Sequence, residues 1–532
     1  MNQDHFPYSE TGYFSKTILD YIRGEKNLQS FYGNSPDLEG FEKQIELKRN
    51  FSKSHRKQLV DALNKQYQAL ETTELVLDRI ESLSNENTFT VTTGHQLNLF
   101  TGPLYFLYKI ISVINLCKSL KESYPDCDFV PIYWMATEDH DFEEINHFYL
   151  KGKVFRWEGQ EHQSGAVGTF KTEGLDTVLE LLSLELGSSD AAKDLKDLFK
   201  RAYTEHQTLG EATFYLANEL FKEDGLVVLE PNNVDLKRLF IPQIKRDLFD
   251  QIGFKKVSDT IELLQKKAYS IQVNPRELNF FYLKEGMRER LVEEGGVYSV
   301  LNTAIQFTKD ELLIELEQHP DRFSPNVITR PLYQEVILPN LAYIGGGGEL
   351  AYWFELQSMF EAQETIFPIL MLRDSVLVMS QKQFDKIQKL GLSTADLFLS
   401  RGDLINKHIR KISNIDIDLS PLKNRLNEQF ENLYQIASQT DASFLGAVKA
   451  QEIKQLKGID KLEKRLLKAQ KRKLSEEVIR LVNLQEELFP REGLQERNTN
   501  FSEFYLEYSI SFKKELLKHL NPLKKEFTIL KL

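Results

Sequence analysis

The chain has 532 residues, 41% of them apolar and 27% charged, with 35 Phe and 21 Tyr; this excludes a disordered chain and exceeds one simple core, so two or more folded units are expected. A formal net charge of −12 argues against generic nucleic-acid binding through phosphates. The two cysteines, Cys117 and Cys127, fit neither a disulfide scaffold nor a zinc half-site, and both read as structural thiols of a reducing compartment.

The opening MNQDHFPYSETGYF has neither the basic nor the apolar region of a secretory signal, which makes the cytoplasm the expected compartment. From about residue 8 to residue 85 the spacing is helical, with Leu59, Leu63, Tyr67 and Leu70 recurring at three and four. A β-branched run, Thr88 to Thr93, then ends at Gly94 and is followed by an apolar helix over 102–120, with Pro103 suited to its first position. Lys109, Asn115 and Lys118 break that helix short of the roughly 18 apolar residues of a membrane span, so no membrane partner is expected. Asp128 to Thr137 (DFVPIYWMAT) is nearly continuous apolar sequence, as in a parallel strand covered on both faces. Strand, helix and strand at this spacing predict a βαβ unit and a Rossmann-type parallel sheet. Gly225 to Glu230 and Phe367 to Leu372 add strands, separated by helices over 234–267 and a hairpin over Phe280–Val300 with Gly295-Gly296 in it.

After about residue 380 the texture changes. Ile453, Leu456, Ile459, Leu462, Leu466, Leu474, Leu481, Leu484 and Leu488 fall three, four or seven apart, with one skip, among Lys, Arg and Glu. That is a coiled-coil-like helix. Leu419 to Ala437 offers an antiparallel partner across a turn near Gln439–Asp441, Pro490 and Gly493 stop the second helix, and 501–532 reads as a further helix. The expected architecture is α/β: a Rossmann-like parallel-sheet core with N-terminal helices and insertions over 1–380, a helical coiled-coil hairpin over 381–500, and a helical tail over 501–532. An exposed helical arm with an apolar seam predicts a homodimer.

Three constellations carry chemistry. Thr92-Thr93-Gly94-His95-Gln96 leaves the first strand where parallel sheets bind ligands; it is either an anion site completed by His95 and a helix N-terminus, or a structural turn. Directly after the second strand, residues 137–147 hold five carboxylates and two histidines: Glu138, Asp139, His140, Asp141, Glu143, Glu144 and His147, with Asn146 among them. A helix starting near Asp141 would place Glu143 and His147 on one face. Such groups hold Mg²⁺ for a nucleotide, bind an ammonium or act as base, or else simply complement a helix N-terminus. No metal-ligand spacing of the zinc type is present, and no structural metal is predicted. The third segment, Tyr343 to Trp353, has four consecutive glycines, Gly345 to Gly348, then Glu349 and Tyr352 three apart. It is either a backbone nest or close-approach loop or else a flexible linker, the aromatic flanks favouring the binding loop, and it is not a Walker loop. Arg330, near Tyr333, and Arg373 are candidates to pair a carboxylate or phosphate, or are ion-paired structural arginines.

The stretches TTGHQLNLFTGPLYFLYKIISVINL, PIYWMATEDHDFEEINH, RPLYQEVILPNLAYIGGGGELAYWFEL and PREGLQERNTNF, which span the chain in this order, resemble the bacillithiol biosynthesis cysteine-adding enzyme family (BshC). The resemblance implies a Rossmann core related to class I nucleotidyl-transferring enzymes, a dimerising coiled-coil domain, and a ligase that joins the cysteine carboxyl to the amine of glucosaminyl-malate. On it, Gly94-His95 match the last two positions of the His-x-Gly-His signature for ATP phosphates, and Thr92 stands where the first His would be. The positions of the three constellations at the strand ends, rather than the resemblance, assign catalysis to His95, Asp139, His140 and Asp141. Substrate or nucleotide binding falls to Thr93, Gly94, Gln96, Glu138, Asn146, His147, Arg330, Tyr333, Gly346, Gly348, Glu349, Tyr352 and Arg373. No cofactor is fixed by the residues; ATP, or bound ADP, with Mg²⁺ is the candidate. The alternatives are a non-catalytic nucleotide-sensing dimeric scaffold and a nucleotidyltransferase for another small molecule.

Overall fold

The computed structural model describes residues 3–159 and 164–532. These form two compact units, one of residues up to 377 together with 495–530, the other of residues 378–494 with the last two. The strands in chain order are β1 (Gln3–Pro7), β2 (Thr88–His95), β3 (Asp128–Met135), β4 (His147–Leu150), β5 (Lys153–Arg156), β6 (Val227–Leu229), β7 (Phe280–Lys284), β8 (Met287–Glu294), β9 (Val297–Val300), β10 (Gln306–Phe307), β11 (Phe323–Pro325), β12 (Asn340–Gly345), β13 (Ile369–Leu372), β14 (Val376–Met379) and β15 (Glu526–Lys531).

In the first unit β13, β12, β2, β3 and β6 lie side by side in that order, every neighbouring pair parallel. All eight residues of β2 are buried, although four are threonines. β-Branched side chains suit a strand, but a buried hydroxyl needs a partner. Thr90 and Thr92 donate to Asn340 Oδ1 at 3.1 and 2.9 Å, and Thr93 donates to the Ile344 carbonyl at 2.8 Å. Asn340 in turn donates to Glu335, which is salt-bridged at 3.1 Å to the buried Lys48. The helix Tyr105–Ser123 lays Val113, Leu116, Cys117 and Leu120 against Phe89, Val91 and Phe129 of the sheet. An antiparallel sheet, β10-β9-β8-β7-β11, fills the insertion where a hairpin was predicted.

Three local expectations change. The apolar helix opens at Tyr105 rather than Pro103, because Phe100, Thr101 and Gly102 adopt φ of 46°, 68° and 62° and interpose a tight turn. Left-handed backbone at Phe and at β-branched Thr is strained. It persists because Asn500 Nδ2 donates to the Phe100 and Gly102 carbonyls at 2.8 and 2.6 Å, while Tyr203 OH accepts the Phe100 N–H. Second, the acidic segment makes a single helical turn, Phe142–Ile145, and His147 opens β4, so Glu143 and His147 do not share a helix face. Third, the tail is two helices, Phe501–Tyr508 and Ile510–His519, followed by β15, which pairs antiparallel with β1. Residues 495–530 thus belong to the first unit.

In the second unit, helix Ser420–Ala437 packs antiparallel on Ala442–Lys473 through Phe430, Ala437 and Val448. The long helix breaks at Leu474 and resumes as Ser475–Leu488. Leu422, Leu433, Ile436, Ile453 and Leu462 of the seam stay exposed in the single chain. Among the described residues no helix is long and apolar enough to cross a membrane.

Asn500→Ala should lower the unfolding free energy of the first unit by about 2–4 kcal/mol, since two buried carbonyls lose their donor. A urea titration followed by near-UV signals of that unit measures it; a change below 0.5 kcal/mol would remove Asn500 as the clamp of the strained turn.

Candidate active site

A cavity of about 730 Å³ opens beyond the C-terminal ends of β2, β3 and β12, where an open parallel sheet places its ligands. Gly94, His95 and Gln96 reach it from β2, Trp134 and Met135 from β3, and Tyr343 from β12. The wall opposite is the insertion, through Phe280 and Phe281 of β7 and Arg288 and Arg290 of β8. Arg288 and Arg290 are two apart on one strand and therefore share a face.

The floor is a network around one buried ion pair. Lys109 Nζ lies 2.6 Å from Glu349 Oε2 and donates to the Gly94 carbonyl at 2.8 Å. The same carboxylate accepts from Tyr343 OH and the Gly346 N–H, both at 2.9 Å. Burial alone would raise the carboxyl of Glu349, but the Lys109 charge and these donors hold it below the usual range. The four glycines are not a nest, for none of Gly345 to Gly348 has positive φ. Gly345 ends β12, Gly346 caps the helix Gly347–Trp353, and the next two start its first turn. What the missing side chains supply is approach: a Cβ on Gly346 would sit 3.7 Å from Arg373 Nε, and one on Gly94 would sit 3.3 Å from Tyr343 OH and 3.7 Å from Arg330 Nη1.

Six arginines and one lysine line the cavity against three carboxylates, so it is cationic inside an acidic chain. Several of these charges are committed. Arg373 pairs with buried Glu496 at 2.7 Å, Glu138 with buried Lys237, and Arg288 donates to His140 Nδ1 at 2.9 Å while stacking 3.8 Å over Phe281. A guanidinium only donates, so His140 Nδ1 is the acceptor and the neutral ring carries its proton on Nε2. Arg330 rests over Trp134, Tyr343 and Trp353 at 5.8, 5.5 and 6.0 Å. The guanidinium groups of Arg276, Arg290 and Arg497 make no hydrogen bond or ion pair among the described residues. His95 is buried, packed edge-on against Tyr105, and its Nε2 has no partner. Burial, with the Lys109 and Arg373 charges beside it, pushes its pKa well below the usual 6.5. Its imidazole is therefore neutral at physiological pH. Arg330 Nη2 and Arg373 Nε are also buried without a hydrogen-bond partner among the described residues.

Residues 1–374 match the family model "Bacillithiol biosynthesis BshC, N-terminal Rossmann-like domain", and residues 376–532 match "Bacillithiol biosynthesis BshC, C-terminal coiled-coil domain". The chain belongs to the BshC family. Relatives named "Putative cysteine ligase BshC" are 54% identical over 526 residues in Christiangramia forsetii, covering 98% of both chains, and 54% identical over 531 residues in Flavobacterium johnsoniae, covering 100% of both. One from Bacillus cytotoxicus is 28% identical over 521 residues, covering 94% of this chain and 95% of that one.

In this BshC-family chain the cavity is lined by Gly94, His95, Gln96, Glu138, Asp139, His140, Arg330, Gly346, Gly348, Glu349, Tyr352 and Arg373 of the predicted set. Gln96 Nε2 donates to Asp139 Oδ2 and Glu144 Oε2, each at 2.9 Å, tying the first two constellations together. Five predicted residues lie elsewhere. Thr93 spends its hydroxyl on Ile344 inside the sheet. Asp141 caps the short helix by accepting the Glu144 N–H. Asn146 is buried and accepts from Arg156. Tyr333 is buried against Trp134 and Phe240 and donates to the Pro231 carbonyl. His147 lines a separate, smaller cavity.

Sequence reasoning missed Tyr105, Lys109, Lys237, Arg276, Arg288, Arg290, Glu496 and Arg497. Lys109 had a signal, a cation on an otherwise apolar helix that must find a buried partner. The insertion's arginines had none, since only tertiary packing brings β8 over the sheet ends.

Glu349→Gln should cost about 3–5 kcal/mol by leaving the Lys109 ammonium buried and unpaired, with Lys109→Met in the same chain restoring part of it; urea melts of the single and double variants measure this, and an additive double variant would refute the pairing. A second outcome concerns pH. Unfolded His95 takes a proton near 6.5 that the folded ring refuses, so stability falls as pH drops below about 6.5. His95→Asn should flatten the Tm-versus-pH curve between pH 7 and 5.

Proposed function

We propose that this chain is a ligase that joins the carboxyl of cysteine to the amine of glucosaminyl-malate, giving bacillithiol. The observation that carries the reading is the cavity itself: a cationic pocket at the ends of a parallel sheet, with the uncommitted guanidiniums of Arg276, Arg290 and Arg497 facing it, in a chain matched end to end by relatives named as cysteine ligases. The acceptor's malate brings two carboxylates and cysteine a third, and planar guanidiniums suit carboxylates.

Amide formation from a free carboxylate is uphill in water, so a nucleotide supplies the activation of the carboxyl. The buried Nη2 of Arg330 and Nε of Arg373, without a partner among the described residues, are donors of the kind that a phosphate would satisfy, and His95 adds a third in the tautomer that carries its proton on Nε2. No group of three His, Cys, Asp or Glu stands together as a metal cage among the described residues; Mg²⁺ carried by phosphates needs only one or two carboxylates. In the coupling step the C–N bond forms as the activating group leaves the carboxyl carbon. Asp139 receives the proton that the attacking amine loses, and Arg330 offsets the charge on the carbonyl oxygen. Two cysteines without a disulfide pattern support a cytoplasmic setting, and the exposed seam of Leu422, Leu433, Ile436, Ile453 and Leu462 supports a homodimer through the coiled-coil domain.

Purified protein supplied with cysteine, glucosaminyl-malate and ATP should form the thiol amide, and His95→Ala and Asp139→Ala should each lower kcat/KM at least about 100-fold. Mass spectrometry of the product decides; undiminished turnover in both variants overturns the assignment of the cavity.

A further inference from the structure

Beside the main cavity lies a second one of about 330 Å³, lined from the segment between β2 and the helix Tyr105–Ser123, the start of that helix, the acidic segment, β4 and residues 497–499. Three residues, Gln96, Tyr105 and Arg497, line both cavities and form the wall between them. Ligand sites run from about 300 to about 1,000 Å³, so the second cavity holds a small molecule and the first a larger one. Its lining carries both signs of charge. The Arg497 guanidinium lies on the shared wall with no hydrogen bond or ion pair among the described residues, while Glu144 lines only the second cavity. Glu144 gives one oxygen, Oε2, to Gln96, leaving Oε1 for a ligand. Asn98 also lines the space, is 6% exposed, and its Oδ1 is buried without a partner. A carboxylate, a guanidinium and an amide carbonyl on one lining suit a small zwitterion.

We infer that this second cavity is the cysteine subsite of the proposed ligase, with the α-ammonium on Glu144 and the α-carboxylate on Arg497. The inference rests on the ligase reading and adds a division of labour to it. The carboxylate stands at Arg497, a residue of both linings, within reach of the cavity that takes the acceptor amine. It also accounts for His147, which sits in this cavity and not in the larger one.

Calorimetric titration of L-cysteine and of 3-mercaptopropionate, which lacks the ammonium, into the full chain tests this. Glu144 and Arg497 are exposed at the surface, so Glu144→Gln and Arg497→Gln should fold. Glu144→Gln should weaken L-cysteine about 10- to 100-fold and leave 3-mercaptopropionate within about twofold, whereas Arg497→Gln should weaken both. Arg276→Gln, in the main cavity only, should leave L-cysteine unchanged. Loss of L-cysteine binding in Arg276→Gln with none in Glu144→Gln would overturn the subsite, as would equal losses of both ligands in Glu144→Gln. Thiol-amide formation by the unaltered protein is assayed in parallel: product with Glu144-independent cysteine binding sinks the subsite alone, and no product sinks the ligase reading itself.

Discussion

The buried pair of Lys109 and Glu349 organises everything around the cavity. An ammonium carried into the interior on an apolar helix needs full compensation. It finds a carboxylate from the helix after β12 and a carbonyl from the end of β2. Desolvation makes such a pair a weak contributor to net stability. Its value is geometric, because the remaining lone pairs of Glu349 fix the Tyr343 hydroxyl and the Gly346 N–H. Two strand ends and two helices are thereby held in one register, and the approach left open by Gly94 and Gly346 keeps Arg330 and Arg373 at the cavity.

The remaining cations divide by what they already hold. Arg373 and Arg288 are fixed by Glu496 and by His140 with Phe281, so their positions do not depend on a ligand. Arg276, Arg290 and Arg497 have nothing to hold among the described residues. A chain of net charge −12 thus concentrates positive potential in one concave place, where low-dielectric walls strengthen the attraction for anions.

The sheet was legible because its strands are continuous runs of apolar or β-branched residues. DFVPIYWM becomes β3, and the β-branched TFTVTT begins β2. The residues at the strand ends were legible for the same reason, since position along a parallel strand already says where a ligand binds. Local geometry after those ends was not. Nothing in FTG announces three successive left-handed residues, which depend on Asn500, and so Pro103 misled as a helix start. One helical turn instead of two moved His147 onto a strand. Arg276, Arg288 and Arg290 lie on an insertion whose docking over the sheet is a long-range matter that no spacing encodes. The tail was hidden similarly, because β15 pairs with β1 across nearly the whole chain.

The clamp on the strained turn also sets an order of events during synthesis. The carbonyls of Phe100 and Gly102 are reached by a side chain 400 and 398 residues further on. At about 5–20 residues per second on the ribosome, that interval is roughly 20–80 s. For that time the strained turn after β2 is without the donor that holds it, and Arg497 is not yet made. The cavity is therefore a late product of translation, and a chain released before residue 495 keeps the sheet strands but never closes the site.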